Sequence, residues 1–305
     1  MKNPKRLGRG LEDISHYFVS QNQAGINEHS VLHETVARNQ YKSVSFVDIT
    51  DPQRGADLCA EVGIRLSQNG IRVLLVDADV RFPGISFMLG LSLPGFSLEH
   101  YYQDRYEPSD IVCTGPYGVK LLAPHLSVND VSSKSQTKKS LMFDTLKSIE
   151  TETDLVIIRQ FEDYINPIID EALFVVPSST ASLISSYREI KRFMTADDRK
   201  KAGVLVSGGG NEHTAMEVYE KICRCTEISS GTRPHFLGNL DPGESSGSLF
   251  DSSSVENIVS HLSEIASQNR AIEGRKSLFF DRLRNLACGD EISPTEMERL
   301  TQANY

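Results

Sequence analysis

Short apolar runs alternate along the chain with longer segments in which apolar residues recur at helical spacing. Each run has four to six residues, which is too short for a helix and suits a strand buried on both faces of a parallel sheet. The predicted strands are residues 44–49, 73–76, 119–123, 155–158, 172–176, 203–206 and 235–240. We therefore predict an α/β fold with a doubly wound, mainly parallel sheet of about seven strands flanked by helices.

The alternating pattern occupies residues 41–266, and the segments on either side of it depart from the pattern. Residues 1–40 form a basic leader with a short amphipathic helix that we place between Leu7 and Phe18. Residues 267–305 form a helical tail. We expect a single α/β domain with an appendage at each end.

The tail contains an amphipathic segment from Lys276 to Leu286 with basic flanks. A helix of this kind can lie on a membrane surface, where its apolar face enters the lipid and its cations meet anionic headgroups. It can equally dock on the surface of its own domain, and Asp281 interrupts the edge of the apolar face. The sequence leaves both alternatives open.

Composition narrows the class of protein. No apolar run approaches the roughly 18 residues needed to span a bilayer, and no signal peptide opens the chain. The net charge of −9 argues against nucleic-acid binding by the whole surface. The five cysteines are scattered and lack the spacing of a zinc or redox pair. We expect a cytoplasmic protein with reduced thiols.

Asp77 and Asp79 follow directly on the apolar run 73–76. In an open parallel sheet, ligands bind at the carboxyl ends of the strands, where these side chains first meet water. Two carboxylates at this spacing suit a magnesium shell or the orientation of a water molecule. The alternative is a pair of solvated aspartates that cap the next turn.

The segment VLLVDADVRFPGISFMLGL, residues 73–91, closely resembles the second acidic motif of the MinD/ParA family of P-loop ATPases. That family includes FlhG-like flagellar regulators and bacterial tyrosine kinases. The resemblance implies a P-loop NTPase fold, binding of ATP with Mg²⁺, dimerisation and protein partners. It also places a phosphate-binding loop between the first strand and the first helix.

The loop at that position differs from the family pattern at every residue that would contact nucleotide. Its residues are Asp51, Pro52, Gln53, Arg54, Gly55, Ala56 and Asp57. The resemblance puts Gly55 where the family has its phosphate-binding lysine and Ala56 where it has its magnesium-binding hydroxyl. Proline removes a phosphate-facing N–H. Together with Asp48, the loop acids oppose a polyphosphate by about 4 kcal/mol per charge at 4 Å.

Two further positions also depart from the family. Arg159 stands where the resemblance implies a magnesium-binding aspartate, and Ser207 stands where it implies an asparagine that contacts adenine. We expect Arg159 to form an ion pair with Asp77 or Asp79, which would then be vestigial, with no resident metal and no nucleotide cofactor. The alternative is an atypical ATP and Mg²⁺ site that uses Arg54 and the turn at Gly208–Gly210.

These observations predict a non-catalytic pseudo-ATPase that regulates or scaffolds a localisation, flagellar or polysaccharide-assembly system; the alternative is an active ATP-dependent switch. The string LGRGL, residues 7–11, resembles the start of ParB-type partition proteins, which implies that the leader binds a protein partner. The resemblance also allows a homodimer. If Lys276–Leu286 binds lipid, we expect the protein at the inner face of the membrane.

Overall fold

The structure is a computed structural model that describes residues 42–48, 50–79, 84–91, 112–122, 136–160, 167–241, 250, 252–271 and 278–288. The predicted leader 1–40, with its Leu7–Phe18 helix, lies outside the described residues. The tail beyond Cys288 lies outside them as well.

The described residues form eight strands, a short 3-10 turn and seven helices. The strands are Ser43–Val47 (β1), Val73–Asp77 (β2), Val112–Thr114 (β3), Lys120–Leu122 (β4), Leu155–Gln160 (β5), Glu171–Pro177 (β6), Lys201–Ser207 (β7) and His235–Leu240 (β8). The helices are Pro52–Gln68 (α1), Ile85–Met88 (α2), Gln136–Thr151 (α3), Thr180–Ala196 (α4), Glu212–Ser230 (α5), Ser252–Arg270 (α6) and Phe279–Cys288 (α7). The 3-10 turn is Pro116–Gly118.

The strands form one sheet in the order β3-β4-β2-β5-β1-β6-β7-β8. The neighbours from β4 to β8 pair in parallel, and β3 pairs antiparallel with β4 at one edge. The predicted α/β class and mainly parallel sheet are therefore confirmed. The eighth strand, β3, was not predicted because three residues at an exposed edge carry too little apolar pattern to be recognised.

Helices cover both faces of the sheet and create two apolar layers. One layer lies between the sheet and helices α1 and α6. The other lies between the sheet and helices α3, α4, α5 and α7. Alternate residues of a strand enter opposite layers, as Leu74 and Leu75 of β2 do. This is why the strands read as continuous apolar runs in the sequence.

The last described helix, α7, packs into the second layer. Phe279, Phe280 and Leu283 are buried there with Leu278. The Glu150 carboxylate accepts the backbone N–H groups of Phe279 at 2.7 Å and Phe280 at 2.9 Å, and so caps the start of the helix. Of the two alternatives for Lys276–Leu286, these contacts favour docking on the domain's own surface.

Among the described residues, no helix combines the length and the hydropathy that a membrane span requires.

Candidate functional site

The carboxyl ends of the central strands β1, β2 and β5 lie side by side at one end of the sheet. Arg159 of β5 is in register with Asp77 of β2. Its guanidinium donates to Asp77 Oδ1 at 2.7 Å and to Asp79 Oδ2 at 3.1 Å. It also donates to the Pro52 carbonyl at 2.7 Å, at the start of α1. The structure thus has both of the ion pairs that the sequence offered as alternatives.

All three charged side chains of this cluster are buried. Arg159 is 3% exposed, Asp77 1% and Asp79 2%. Burial raises the pKa of Asp77 above its ordinary value, although Arg159 and two backbone N–H groups oppose the shift. Those N–H groups belong to Gly84 and Ile85 at the start of α2, 3.2 and 3.3 Å from Asp77 Oδ2. Asp77 therefore joins β5 to the segment that follows β2.

Asp48, directly after β1, is the second centre of the site. Its carboxylate accepts the backbone N–H groups of Thr50 at 3.0 Å and Asp51 at 2.9 Å, and the Thr50 hydroxyl at 2.9 Å. It also accepts two guanidinium hydrogen bonds from Arg54, at 2.6 and 3.0 Å. Loop N–H groups and a cation are the donors that a phosphate uses in a P-loop. In this structure they converge on a carboxylate of the chain itself.

The loop residues also stabilise the start of α1. Asp51 is the N-cap, and its side chain accepts the backbone N–H of Arg54 at 3.1 Å. Pro52 occupies the first turn, where its missing N–H costs nothing. Gln53 donates to Asp57 at 2.7 Å, and burial raises the pKa of Asp57. The loop therefore fulfils the capping requirements of its own helix.

Gly55 and Ala56 lie beneath the ion pairs. A Cβ on Gly55 would lie 3.4 Å from Asp48 Cβ and 3.7 Å from Arg159 Nε. Ala56 is fully buried, and a Cβ on Gly84 would meet its methyl group at 2.7 Å. Asp48 and Arg159 therefore lie against the Gly55 position, and Gly84 packs closely against Ala56.

Ser207 is not part of this cluster. It ends β7, which lies three strands from β5, roughly 14 Å at the usual strand spacing. Its hydroxyl is buried and makes no hydrogen bond to a described residue. The following turn has positive φ at Gly208 and Gly210, and the Asn211 side chain caps α5 by accepting the Thr214 N–H at 2.9 Å. The start of α5 is therefore capped by a side chain of the turn and not by an anion.

The site therefore combines three carboxylates with two guanidinium groups, a formal charge of −1. Both arginines in the described part of the site have carboxylate partners. Such an arrangement can hold three strand ends and a helix start in one conformation. A phosphate would have to displace the Asp48 carboxylate, and a metal ion would have to displace the Arg159 guanidinium.

The sequence identified Asp48 and Arg54 but not their contact. Asp48 was interpreted as a charge that repels phosphate and Arg54 as a substitute cation. The signal was present in their spacing, because six residues across a loop and a first helical turn bring the two side chains to the same strand end.

Comparisons with known proteins identify the type of fold that carries this site. No protein-family model matches the chain. The antiactivator FleN of Pseudomonas aeruginosa is 20% identical over 195 residues, which cover 62% of this chain and 69% of FleN. A putative plasmid partition protein of Borrelia burgdorferi, solved with AMPPNP bound, aligns with a TM-score of 0.52 at 14% identity, over 74% of this chain and 99% of that one. The chain has the MinD/ParA-type P-loop ATPase fold.

A further crystal structure of a plasmid partition protein from Borrelia burgdorferi agrees. It aligns with a TM-score of 0.50 at 14% identity and covers 73% of this chain and 99% of that one. The resemblance stated from residues 73–91 is thus confirmed at the level of the fold. Within the MinD/ParA-type fold, the cluster around Arg159 and Asp48 lies where the resemblance places nucleotide and magnesium.

Proposed function

We propose that the chain is a non-catalytic MinD/ParA-like pseudo-ATPase that regulates or scaffolds other proteins by direct contact. One observation carries the proposal: the strand-end site is filled by ion pairs internal to the chain. Arg159 is shared by Asp77 and Asp79, and Arg54 is held by Asp48. Each carboxylate of the site therefore already has a guanidinium partner within the chain.

The argument against phosphate binding starts from the donors. Asp48 accepts five hydrogen bonds from Thr50, Asp51 and Arg54. A phosphate could use these donors only after the carboxylate had moved, and Asp48 is only 5% exposed. If the carboxylate stayed, repulsion at 4 Å would cost about 4 kcal/mol at an effective dielectric of 20.

The argument against magnesium starts from Arg159. Its guanidinium contacts Asp77 and Asp79, the two carboxylates that would form a magnesium shell. Removing a buried arginine from its partners leaves charges uncompensated, which costs about 3–5 kcal/mol. A divalent ion beside a retained arginine would instead meet like charge at close range.

The regulatory part of the proposal rests on the relatives and on the leader. FleN is an antiactivator by name, and a protein of that kind acts through contact with its target. We propose that this chain acts in the same general way, with Leu7–Phe18 of the leader as a partner-binding element. A pull-down that compares the full chain with one lacking residues 1–25 tests that element.

Isothermal titration of the full chain with ATP and Mg²⁺, and separately with ADP and Mg²⁺, tests the central claim. We expect no binding heat up to millimolar nucleotide. The plasmid partition protein solved with AMPPNP serves as the positive control for the assay. Micromolar affinity, or steady ATP hydrolysis that is abolished by Asp79→Ala, would overturn the proposal in favour of an active switch.

A further inference from the structure

A second cluster of charged and metal-ligating side chains lies at the opposite, amino-terminal end of the sheet. Glu171 is the first residue of β6, His235 is the first residue of β8, and His261 is on α6. One ligand atom from each lies within 4.8 Å of the others. The three elements are far apart in sequence, and the fold alone brings these residues together.

The geometry centres on one carboxylate oxygen. Glu171 Oε1 lies 2.5 Å from His261 Nε2 and 3.4 Å from His235 Nε2. The two imidazole rings are 5.4 Å apart between centroids. Strand β7 lies between β6 and β8, and the β7 residue in register with His235 is Gly203, which carries no side chain.

One carboxylate oxygen does not satisfy both imidazoles. His261 forms the short hydrogen bond to it. His235 Nε2 is buried and makes no hydrogen bond to a described residue, because its 3.4 Å approach to the same oxygen lacks hydrogen-bond geometry. We treat that approach as electrostatic. A buried polar atom without a partner is unfavourable, and a bound cation would supply the missing partner.

Glu171 is the most deeply buried of the three side chains. Its side chain is 4% exposed, whereas those of His235 and His261 are 41% and 25% exposed. Glu171 also lines an open cleft of about 410 Å³, so solvent has a route to the cluster.

We propose that Glu171, His235 and His261 form a binding site for a divalent transition metal, with Zn²⁺ as the preferred ion. Two imidazoles and one carboxylate are a donor set that Zn²⁺ takes, with a fourth position open to water. Ligands at zinc distances of about 2.0–2.1 Å in a tetrahedron lie roughly 3.3 Å apart. The His235–Glu171 distance already has this value, and the His261–Glu171 distance must open by under about 1 Å.

The neighbouring charges limit the affinity. Lys201 is in register with Glu171 on β7 and exposed, and Lys42 lines the same cleft. These cations disfavour a second positive charge, although solvent screens them. The bound ion would tie the edge strand β8 and helix α6 to β6. The bound ion would therefore stabilise the outer part of the sheet, whether or not the strand-end site around Arg159 binds nucleotide.

Metal titration of the full-length chain without an affinity tag tests the site. We expect Co²⁺ to give a visible spectrum typical of nitrogen and oxygen ligands, without a thiolate charge-transfer band, and Zn²⁺ to displace it. Zn²⁺ should raise the melting temperature reversibly, with EDTA restoring the original value. Both effects should weaken on acidification, because ligation needs neutral imidazoles.

The variants His235→Gln and His261→Gln should each weaken Zn²⁺ binding by about 100-fold or more, since each removes one of three ligands. His213→Gln is the matched control, because His213 is 85% exposed and lies 3.6 Å from Glu217, outside the proposed site. Binding weaker than about 1 mM in the unmodified chain, a thiolate band in the Co²⁺ spectrum, or unchanged affinity in both variants would overturn the proposal. Far-ultraviolet circular dichroism confirms that each variant is folded.

Discussion

At the scale of single residues, Arg159 and Asp48 each hold several partners at the strand-end site. The Arg159 guanidinium is planar and carries several donors, so it can bind Asp77, Asp79 and the Pro52 carbonyl at once. The two oxygens of the Asp48 carboxylate accept hydrogen bonds from five donors. Under the proposed function, Asp48 takes the place of a phosphate and Arg159 takes the place of a metal ion.

Arg159→Met tests the role proposed for Arg159. The variant keeps a side chain of similar length but leaves two buried carboxylates without their cation. We expect the free energy of unfolding at neutral pH to fall by about 3–5 kcal/mol, measured by urea denaturation.

The matched control is Arg233→Met, which removes an exposed arginine paired with Glu220 at 2.9 Å. Exposed pairs contribute little, so we expect no measurable change in the unfolding midpoint. If Arg159→Met were as stable as this control, the carboxylates would have to be solvated or protonated without Arg159, and the ion-pair account of the site would be wrong.

Asp48→Ala tests the role proposed for Asp48. It releases the N–H groups of Thr50 and Asp51 together with the Arg54 guanidinium, and the lost hydrogen bonds should cost about 1–3 kcal/mol. The freed donors form an anion site at a helix start. Inorganic phosphate, compared with chloride at equal ionic strength, should therefore raise the melting temperature of the variant more than that of the unmodified chain. Equal shifts in both proteins would show that Asp48 does not occupy an anion site.

At the scale of elements, the sequence predicted most strands and helices because their signals are local. The stripe Leu58, Val62 and Leu66 is buried on α1 as helical spacing requires. Strand β3 escaped prediction because a three-residue edge strand is defined by its partner β4 and not by its own pattern. The sequence left the docking of α7 open against membrane binding, because the Glu150 carboxylate that caps it is about 130 positions earlier in the chain.

Glu150 gives the helix–helix contact a pH dependence. Burial raises the pKa of this carboxyl to about 7 from 4.5, although the N–H groups of Phe280 and Phe279 oppose the shift. Below about pH 4.5 the group is protonated in both the folded and unfolded states. As the pH rises towards 7, the unfolded chain loses the proton first, so stability falls, by an amount on the order of 3 kcal/mol in all.

Glu150→Gln separates this effect from every other titration, because it retains the shape and removes the ionisation. We expect the unfolding free energy of the unmodified chain, relative to the variant, to decline between about pH 4.5 and pH 7 and then level off. Thermal or urea unfolding at several pH values measures it. Parallel pH profiles for the two proteins would mean that Glu150 titrates normally and that the α7 cap is solvated.

At the scale of the whole molecule, the sheet has a charged cluster at each end. Asp77 and Arg159 meet at the carboxyl end although 82 positions separate them, and Glu171 meets His261 at the amino end across 90 positions. The first pair was predictable because the family resemblance placed both residues at neighbouring strand ends. The second was not, because no local pattern links a glutamate on one strand to a histidine on a distant helix.

Both clusters fix the ends of elements through contacts within the chain, which leads to a prediction about the protein as a unit. In a nucleotide-driven switch, ATP changes the loop before α1, the segment after β2 and the oligomeric state together. Here Arg159 already connects these segments, through Pro52 and Asp77. A ligand that binds two conformational states with equal affinity does not shift the equilibrium between them.

We therefore expect amide hydrogen exchange of the full chain to be the same with and without millimolar ATP and Mg²⁺, in peptides covering 50–57 and everywhere else, with an unchanged molar mass by light scattering. Asp48→Ala in phosphate is the positive control, since binding at its freed loop should slow exchange in 50–57. Slower exchange of 50–57 in the unmodified chain on adding ATP would mean that the Asp48 carboxylate yields to phosphate, because those N–H groups cannot serve both anions.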